Sequence, residues 1–355
     1  MNEKNKHVDS ILSEINTIHQ RYNYKEISSD FSIGPINDNE YFKSKYICHD
    51  DAMCINEVPI HDAAIVTGFG PTNTPTAGTL SVMLKALSLQ RETGIHTSII
   101  VSDLGAWNSR NINWYDIKKL TNTFIEFILE LGFNTENGVV RSHQDKQNLV
   151  VSGLISKIVE ENDFKENKEA TDQLYDLLNL RGSFFGIMQD GLYTISDIVN
   201  PLFSGKKRVL VMAGIEEHYF PELSKLVIQR MNARYKDQFI QADSKVGAIY
   251  ARLIGGLYPY PKMSKSIPES SINIGDTEKD IMRKIIECGH ENEKVIMQMI
   301  ELVSDWSVSK IKNAKVVFED RHLNPGEWRN IKEEYLQFFI ETAKLWNRLS
   351  SKMLL

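Results

Sequence analysis

The stretch AAIVTGFGPTNTPTAGTL (residues 63–80) changes character twice within a few turns of chain. Ala63–Thr67 is a short apolar run of strand length, Gly68 and Gly70 interrupt it, and a loop rich in Pro and Thr follows. From Thr79 onward, TLSVMLKALSLQRETG places Leu80, Met83, Leu84, Leu87 and Gln90 at helical spacing, with Gly94 as the C-terminal stop. HTSIIVSD then reads as a second buried strand. Strand, glycine-bearing loop, helix and strand make a βαβ unit, which requires a parallel sheet and a right-handed crossover.

The pattern returns later. RVLVMAG (Arg208–Gly214) is strand-like, and EEHYFPELSKLVIQRMNARY follows as a helix with Leu223, Leu226, Val227 and Met231 on one face. Between the two units the spacing predicts helices around 114–132 and 146–162, and the polar NDFKENKEATDQ reads as an exposed connection. Before residue 60, Val8, Ile11, Leu12, Ile15 and Ile18 mark a helical face ahead of the loop-like SSDFSIGPINDNE, which suits an appended segment rather than a second core. The last ninety or so residues are helical in pattern, with NPGEW as a break. The fold class expected is α/β, a doubly wound parallel sheet with a helical C-terminal part.

Composition narrows the functional classes. At 355 residues with 42% hydrophobic and 25% charged, the chain can bury a substantial core divided among two or three domains. It contains no run approaching the ~20 apolar residues of a membrane span, and MNEKNKHVDS lacks the apolar centre of a signal peptide, so a cytoplasmic protein is expected. Cys48, Cys54 and Cys288 form an odd set without framework spacing, which suits a reducing compartment. Cys48, His49, Cys54 and His61 could be imagined around zinc, but CxxC and HxxxH spacings are lacking, and no metal site is expected there. The net charge of -6 excludes a general polycation. From Ser307 on, nine Lys/Arg face six Asp/Glu, a bias that reads as a solvated helix surface.

Three segments could carry chemistry. GFGPTNTPTAGTL opens a helix after a parallel strand, where backbone N–H groups and the positive helix end favour a phosphate, although it is neither a GxxxxGK[ST] nor a GxGxxG loop. AGIEEH sets acidic side chains just past a strand end, suited to ribose hydroxyls or an ammonium group. YPKMSKSIPES (residues 260–270) puts two lysines on a loop that can reach a polyphosphate and neutralise charge as pyrophosphate leaves. Alone, these are a turn, a decorated helix start and a surface loop. Their order along the chain is that of a nucleotide-binding doubly wound fold, and together they are far more specific.

Over about residues 60–290 these segments resemble the class I aminoacyl-tRNA synthetases of the tryptophanyl/tyrosyl subclass. PTNTPTAGTL stands where that family has its HxGH-type motif, AGIEEHYFPELSKLV is similar to its G-x-D-Q segment and helix, and KMSKSIPESSINIGDTEKDI resembles its second motif with the acidic turn that follows. Pro268, Ser270, Ser271 and the stretch VTGFGP are closer to the tryptophanyl pattern, and LNPGEWRNIKEEYLQFFI resembles a helical region shared with compact archaeal tyrosyl enzymes. The resemblance implies an N-terminal extension over 1–60, a Rossmann-like catalytic domain with an inserted helical connective region over 61–257, and a KMSKS loop with a helical domain over 258–355. It further implies ATP with Mg2+, amino-acid and tRNA substrates, a homodimer and no membrane association.

Site residues follow by position. Thr76, Gly78 and Thr79 would cradle the ATP phosphates and adenine, with Gly68, Gly70 and Pro71 ahead of them; Thr76 and Thr79 replace the two histidines of the motif. Glu216, next to Gly214, would hold the ribose. Lys262 and Lys265, in a loop shared with Met263, Ser264 and Ser266, would stabilise the transition state for pyrophosphate release. Tyr193 and Glu217 match positions that hold the substrate ammonium, and Asp197 joins them; Glu217 stands where Gln is usual. Val66 occupies the place of an aromatic residue in the side-chain pocket, and Asn200 falls where a residue would grip an indole N–H or a phenol. The expected function is tryptophanyl-type amino-acid activation and transfer to tRNA. Tyrosine or a non-protein amino acid, activated for a biosynthetic pathway, is an alternative, and a non-catalytic RNA-binding relic is another, against which Lys262 and Lys265 speak.

Overall fold

The computed structural model describes residues 17–165, 182–260, 263 and 268–352. The helical face at Val8–Ile15, most of NDFKENKEATDQ, and Lys262, Ser264, Lys265 and Ser266 lie outside the described residues. The chain divides into two compact units, residues 1–72 with 86–252 and residues 73–85 with 253–355.

The first unit is built on seven strands: β1 (Lys25–Glu26), β2 (Tyr46–Asp50), β3 (Ala63–Phe69), β4 (His96–Val101), β5 (Gly138–Ser142), β6 (Arg208–Gly214) and β7 (Lys245–Ala251), in the order β1-β2-β7-β6-β3-β4-β5. From β7 to β5 all neighbours are parallel, as the two βαβ patterns require. β2 adds to β7 antiparallel and β1 to β2, so part of the N-terminal segment completes one edge of the sheet. Ile65, Ile99, Val209, Leu210 and Ile249 are fully buried, the mark of parallel strands covered on both faces.

β3 runs through Gly68 instead of breaking there. Gly68 pairs with Ile100, and a side-chain carbon at this position would lie 2.9 Å from the Ile100 carbonyl oxygen, so glycine here allows close strand approach. The chain returns from the β4–β5 side to place β6 on the other flank of β3. That reversal is the switch point at which ligands of open α/β sheets bind, beyond the strand ends. GFGP leaves β3 there and GIEEH leaves β6.

The principal helices of this unit are α1 (Asn39–Lys45), α2 (Ala77–Thr93, which begins in the second unit), α3 (Asp103–Ser109), α4 (Trp114–Glu130), α5 (Lys146–Ile155), α6 (Phe184–Phe203) and α7 (Tyr219–Tyr235), beside a short helical turn at Glu161–Lys165. Gly94 stops α2 with a φ of 66°, the left-handed cap its position predicts. Gln90, on the buried stripe of α2, has a bracketing role: its amide donates to Asn134 and Asn137 carbonyls at 2.8 and 3.0 Å and accepts the Asn134 N–H at 3.0 Å. The helix expected over 146–162 ends at Ile155. α6 is an element that periodicity does not single out; Ser183 caps it by accepting the Gly186 N–H, and Pro201 is tolerated in its last turn.

The second unit contains α8 (Glu278–Ile286), α9 (Glu293–Leu302), α10 (Val308–Glu319) and α11 (Pro325–Lys352). Ile281, Ile285, Ile296, Met299, Ile300, Tyr335 and Phe339 form its buried interior. NPGEW supplies the start of the long helix, since Pro325 is its first residue, where a missing N–H costs nothing.

Candidate active site

In the second unit, the loop ahead of α2 is bound to the segment that follows KMSKS. Ala77 N–H donates to the Ile272 carbonyl and Ile274 N–H to the Pro75 carbonyl, each at 3.2 Å, with Thr76 opposite Asn273. Lys284 fastens the same segment, its Nζ lying 2.8 Å from the Ser271 carbonyl and 2.6 Å from the Asp276 carboxylate. The first turn of α2 is thereby fixed, yet its polar groups are little used. Thr76 Oγ1 lies 3.4 Å from both Thr79 Oγ1 and Thr79 N, long for either bond, and a side chain at Gly78 would meet only Thr76 Oγ1, at 3.5 Å. Glycine in the first turn of a seventeen-residue helix lets a phosphate approach the backbone there. Met263 is buried.

In the first unit, Val66 is buried in the middle of β3, Pro71 is buried beyond its end, and Gly70 has room for a side chain, nearest atoms being 3.5 Å away. Past β6, Ile215–Glu217 forms a single 3-10 turn that carries both glutamates. The Glu216 carboxylate folds back over Gly214, where a side chain would collide with it.

The α6 face is the most elaborated. Tyr193, Asp197 and Asn200 lie at i, i+4 and i+7, so the helix presents them together. Asp197 is ion-paired, with Arg141 2.8 Å from one oxygen and His143 Nε2 2.8 Å from the other. The Tyr193 ring lies 5.3 Å from the His143 ring, and Asn200 reaches Asn148 Oδ1 at 3.4 Å. His143 is wholly buried; burial opposes its positive form, but the Asp197, Asp190 and Asp103 carboxylates, Asp197 foremost, together raise its pKa above the ordinary histidine value. As drawn, Gly105 N–H donates to Nδ1 at 3.1 Å, which puts the ring proton on Nε2, facing Asp197. Asp103 accepts the His143 N–H at 3.0 Å and the Gln144 amide at 2.6 Å.

Asp190 packs its carboxyl over Gly105, and burial raises its pKa against the lowering effects of Ser109 and His143. Arg141, His143, Asp103 and Asp190, which the motifs do not single out, gather around Asp197. The signal available was RSHQD directly past the VV of β5, a charged strand end of the same kind as GIEEH. Together they can hold a carboxylate in one fixed orientation beside an aromatic ring. Glu216 and Glu217 stand on a different element.

Among the described residues no group of three or more His, Cys, Asp or Glu is arranged to hold a metal ion. Burial pushes the Cys48 and Cys54 thiols up to about 12, and both stay protonated. Among the described helices none is long and apolar enough to cross a membrane.

The family model of class I tRNA synthetases (W and Y) matches residues 210–353. A tryptophan–tRNA ligase of Halalkalibacterium halodurans is 26% identical over 147 residues, 38% of this chain and 43% of that relative, so the matched part spans less than half of the curated protein. The tryptophanyl-tRNA synthetase of Aeropyrum pernix superposes with a TM-score of 0.68 at 15% identity, covering 96% of this chain and 92% of the other. That of Giardia lamblia gives 0.69 at 17% identity, covering 97% and 94%. The expected Rossmann-like fold with a helical C-terminal region is thus present, and in sequence over residues 210–353 and in fold over nearly its whole length this chain is similar to the class I synthetases of the tryptophanyl type.

Proposed function

We propose that the chain activates an amino acid with Mg-ATP and passes it to the 3′ end of a tRNA, with tryptophan as the amino acid. The substrate carboxylate attacks the α-phosphorus, the bond to the pyrophosphate oxygen breaks, and an aminoacyl-adenylate forms without a covalent enzyme intermediate. Catalysis then rests on positioning and charge stabilisation. Thr76, Gly78 and Thr79 receive the phosphates, Glu216 the ribose, Glu217 and Tyr193 the ammonium, and Lys262 and Lys265 the charge on departing pyrophosphate. The observation that carries this reading is the pairing of residues 75–77 with 272–274, which ties the phosphate-facing helix start to the segment leaving KMSKS.

A second reading, activation of a different amino acid for a biosynthetic pathway, is favoured by one feature. Arg141 and His143 face the two oxygens of Asp197 on the helix face assigned to the amino acid, an unusual density of charge beside an indole. We also propose that the protein works as a cytoplasmic homodimer. Trp107, Tyr115, Val150 and Phe185, on α3 to α6, are 48%, 72%, 61% and 74% exposed, and a second copy is proposed to cover them.

Amino-acid-dependent exchange of pyrophosphate into ATP, run over a panel of protein and non-protein amino acids, tests these readings. Exchange with tryptophan supports the first, and exchange with another amino acid alone supports the second. No exchange with any removes both and leaves the RNA-binding relic.

A further inference from the structure

The turn Ile215–Glu217 is one 3-10 turn long, and such a short element has little rigidity of its own. Where its carboxylates point therefore depends on how its end is held. That end is His218, whose N–H donates to the Ile215 carbonyl at 3.2 Å and whose residue also opens α7. The His218 ring is 8% exposed, and what encloses it comes from the N-terminal segment. Tyr24 Oη lies 3.0 Å from Nδ1, the Tyr22 ring sits 4.3 Å from the imidazole, and Tyr24 in turn packs on Tyr250 of β7 at 4.9 Å. Burial, with a smaller contribution from Arg21, lowers His218 to about 4, and burial pushes the Tyr24 hydroxyl above the ordinary phenol value. Near neutral pH both are uncharged, which suits Tyr24 O–H donating to Nδ1 with the imidazole proton on Nε2.

We propose that Tyr22 and Tyr24 form a clamp by which the N-terminal segment sets the position of His218, making His218 a positioning residue that aims Glu216 and Glu217 at the ATP ribose and the substrate ammonium. The segment is then a working part of the site, in addition to completing the sheet edge through β1 and β2. The inference rests on the amino-acid-activating reading of this turn. It differs from a packing role in what it predicts: a displaced turn weakens ligand binding in molecules that are otherwise folded, because contacts misplaced by even ~1 Å lose much of their effect.

The test compares Tyr24→Phe, His218→Leu and His218→Gln with the unaltered protein, using pyrophosphate exchange with whichever panel amino acid the unaltered protein exchanges fastest. Calorimetric binding of ATP alone is measured in parallel. Rates are referred to the folded fraction, determined by the unfolding transition of each preparation. Tyr24→Phe and His218→Leu are expected to raise the KM for ATP and weaken ATP binding about tenfold, with kcat within about twofold. His218→Gln, which keeps an acceptor for the Tyr24 hydroxyl, is expected to recover most of the loss. Unchanged KM and ATP binding in the folded fraction of Tyr24→Phe and His218→Leu, whatever their melting temperatures, overturns the clamp while leaving the activating reading intact. Absence of exchange by the unaltered protein overturns the activating reading, and with ATP binding also indifferent to both variants the clamp falls too.

Discussion

On α6 the Asp197 carboxylate has Arg141 on one oxygen and His143 on the other, both at 2.8 Å, whereas at the start of α2 the Thr76 and Thr79 hydroxyls approach each other only at 3.4 Å. The first arrangement is finished by the fold. Two charges have been removed from water, a cost that only their mutual contacts offset, so the energy of the cluster is invested in the folded state. In the second the threonine hydroxyls make only long contacts with each other, so on the proposed reading its energy appears when a ligand arrives. Substitutions in the two regions should accordingly fail in different assays, one in unfolding and the other in binding or turnover.

The largest effect is expected on the phosphate side. Lys265→Ala should lower pyrophosphate exchange by about 10²–10³-fold, the usual loss when a preorganised transition-state contact is removed, with unfolding almost unchanged. Normal exchange in that variant would show that KMSKS does not act on leaving pyrophosphate. On the α6 side the order reverses. Asp197→Ala leaves the Arg141 guanidinium without its carboxylate in a nearly closed site and is expected to cost about 3–5 kcal/mol in denaturant unfolding. Asp197→Asn, which keeps an acceptor, should cost less. A loss below about 1 kcal/mol in Asp197→Ala would mean that the cluster does not support the fold.

How much of this was legible in the sequence follows the same division. β3, β4, β6, α2 and the Gly94 cap were readable because strand length, helical spacing and glycine punctuation are local properties. β2 and β7 were not: no glycine-bearing loop and helix follow either of them to mark a βαβ unit, and their pairing with each other is set across some 200 residues of chain. The helix start at Thr76–Thr79 was visible as a motif for the same local reason. The Asp197 cluster was only half visible, because Tyr193, Asp197 and Asn200 share a helix while Arg141 and His143 arrive from β5 by sheet and helix packing. Side chains that complete one another across the fold leave no spacing rule in the chain.

His218 sharpens the comparison from a third position, since it is buried like the α6 cluster but lies beside a turn assigned to ligands. Its folded pKa of about 4 is depressed from an ordinary 6.5 by burial, with Arg21 contributing. The stability it contributes is therefore fully present above pH 6.5 and is lost as pH falls toward 4, because the unfolded chain takes up a proton that the folded chain refuses. The shift corresponds to about 3 kcal/mol across that window. Unfolding of the unaltered protein at pH 7 and pH 4.5 should show most of this loss, and His218→Gln should remove its share of the slope. An identical slope in the variant would mean that His218 is open to solvent in the folded chain.

The smallest binding effect is expected at Thr76, with little change in stability. A residue in its place, just ahead of α2, ordinarily contributes about 1 kcal/mol through a side-chain bond to the first turn. Here that bond, Thr79 N–H to Thr76 Oγ1, is stretched to 3.4 Å, so Thr76→Val should cost well under this amount. The same hydroxyl is proposed to meet a phosphate oxygen, and its loss should weaken ATP binding about tenfold, equivalent to ~1.4 kcal/mol. Calorimetric ATP titration beside denaturant unfolding separates the two. If Thr76→Val unfolds far more readily yet binds ATP as before, its hydroxyl is a helix cap and the contrast with Asp197 disappears; if binding alone suffers, the first turn of α2 is held open for a ligand by the strap of residues 272–274.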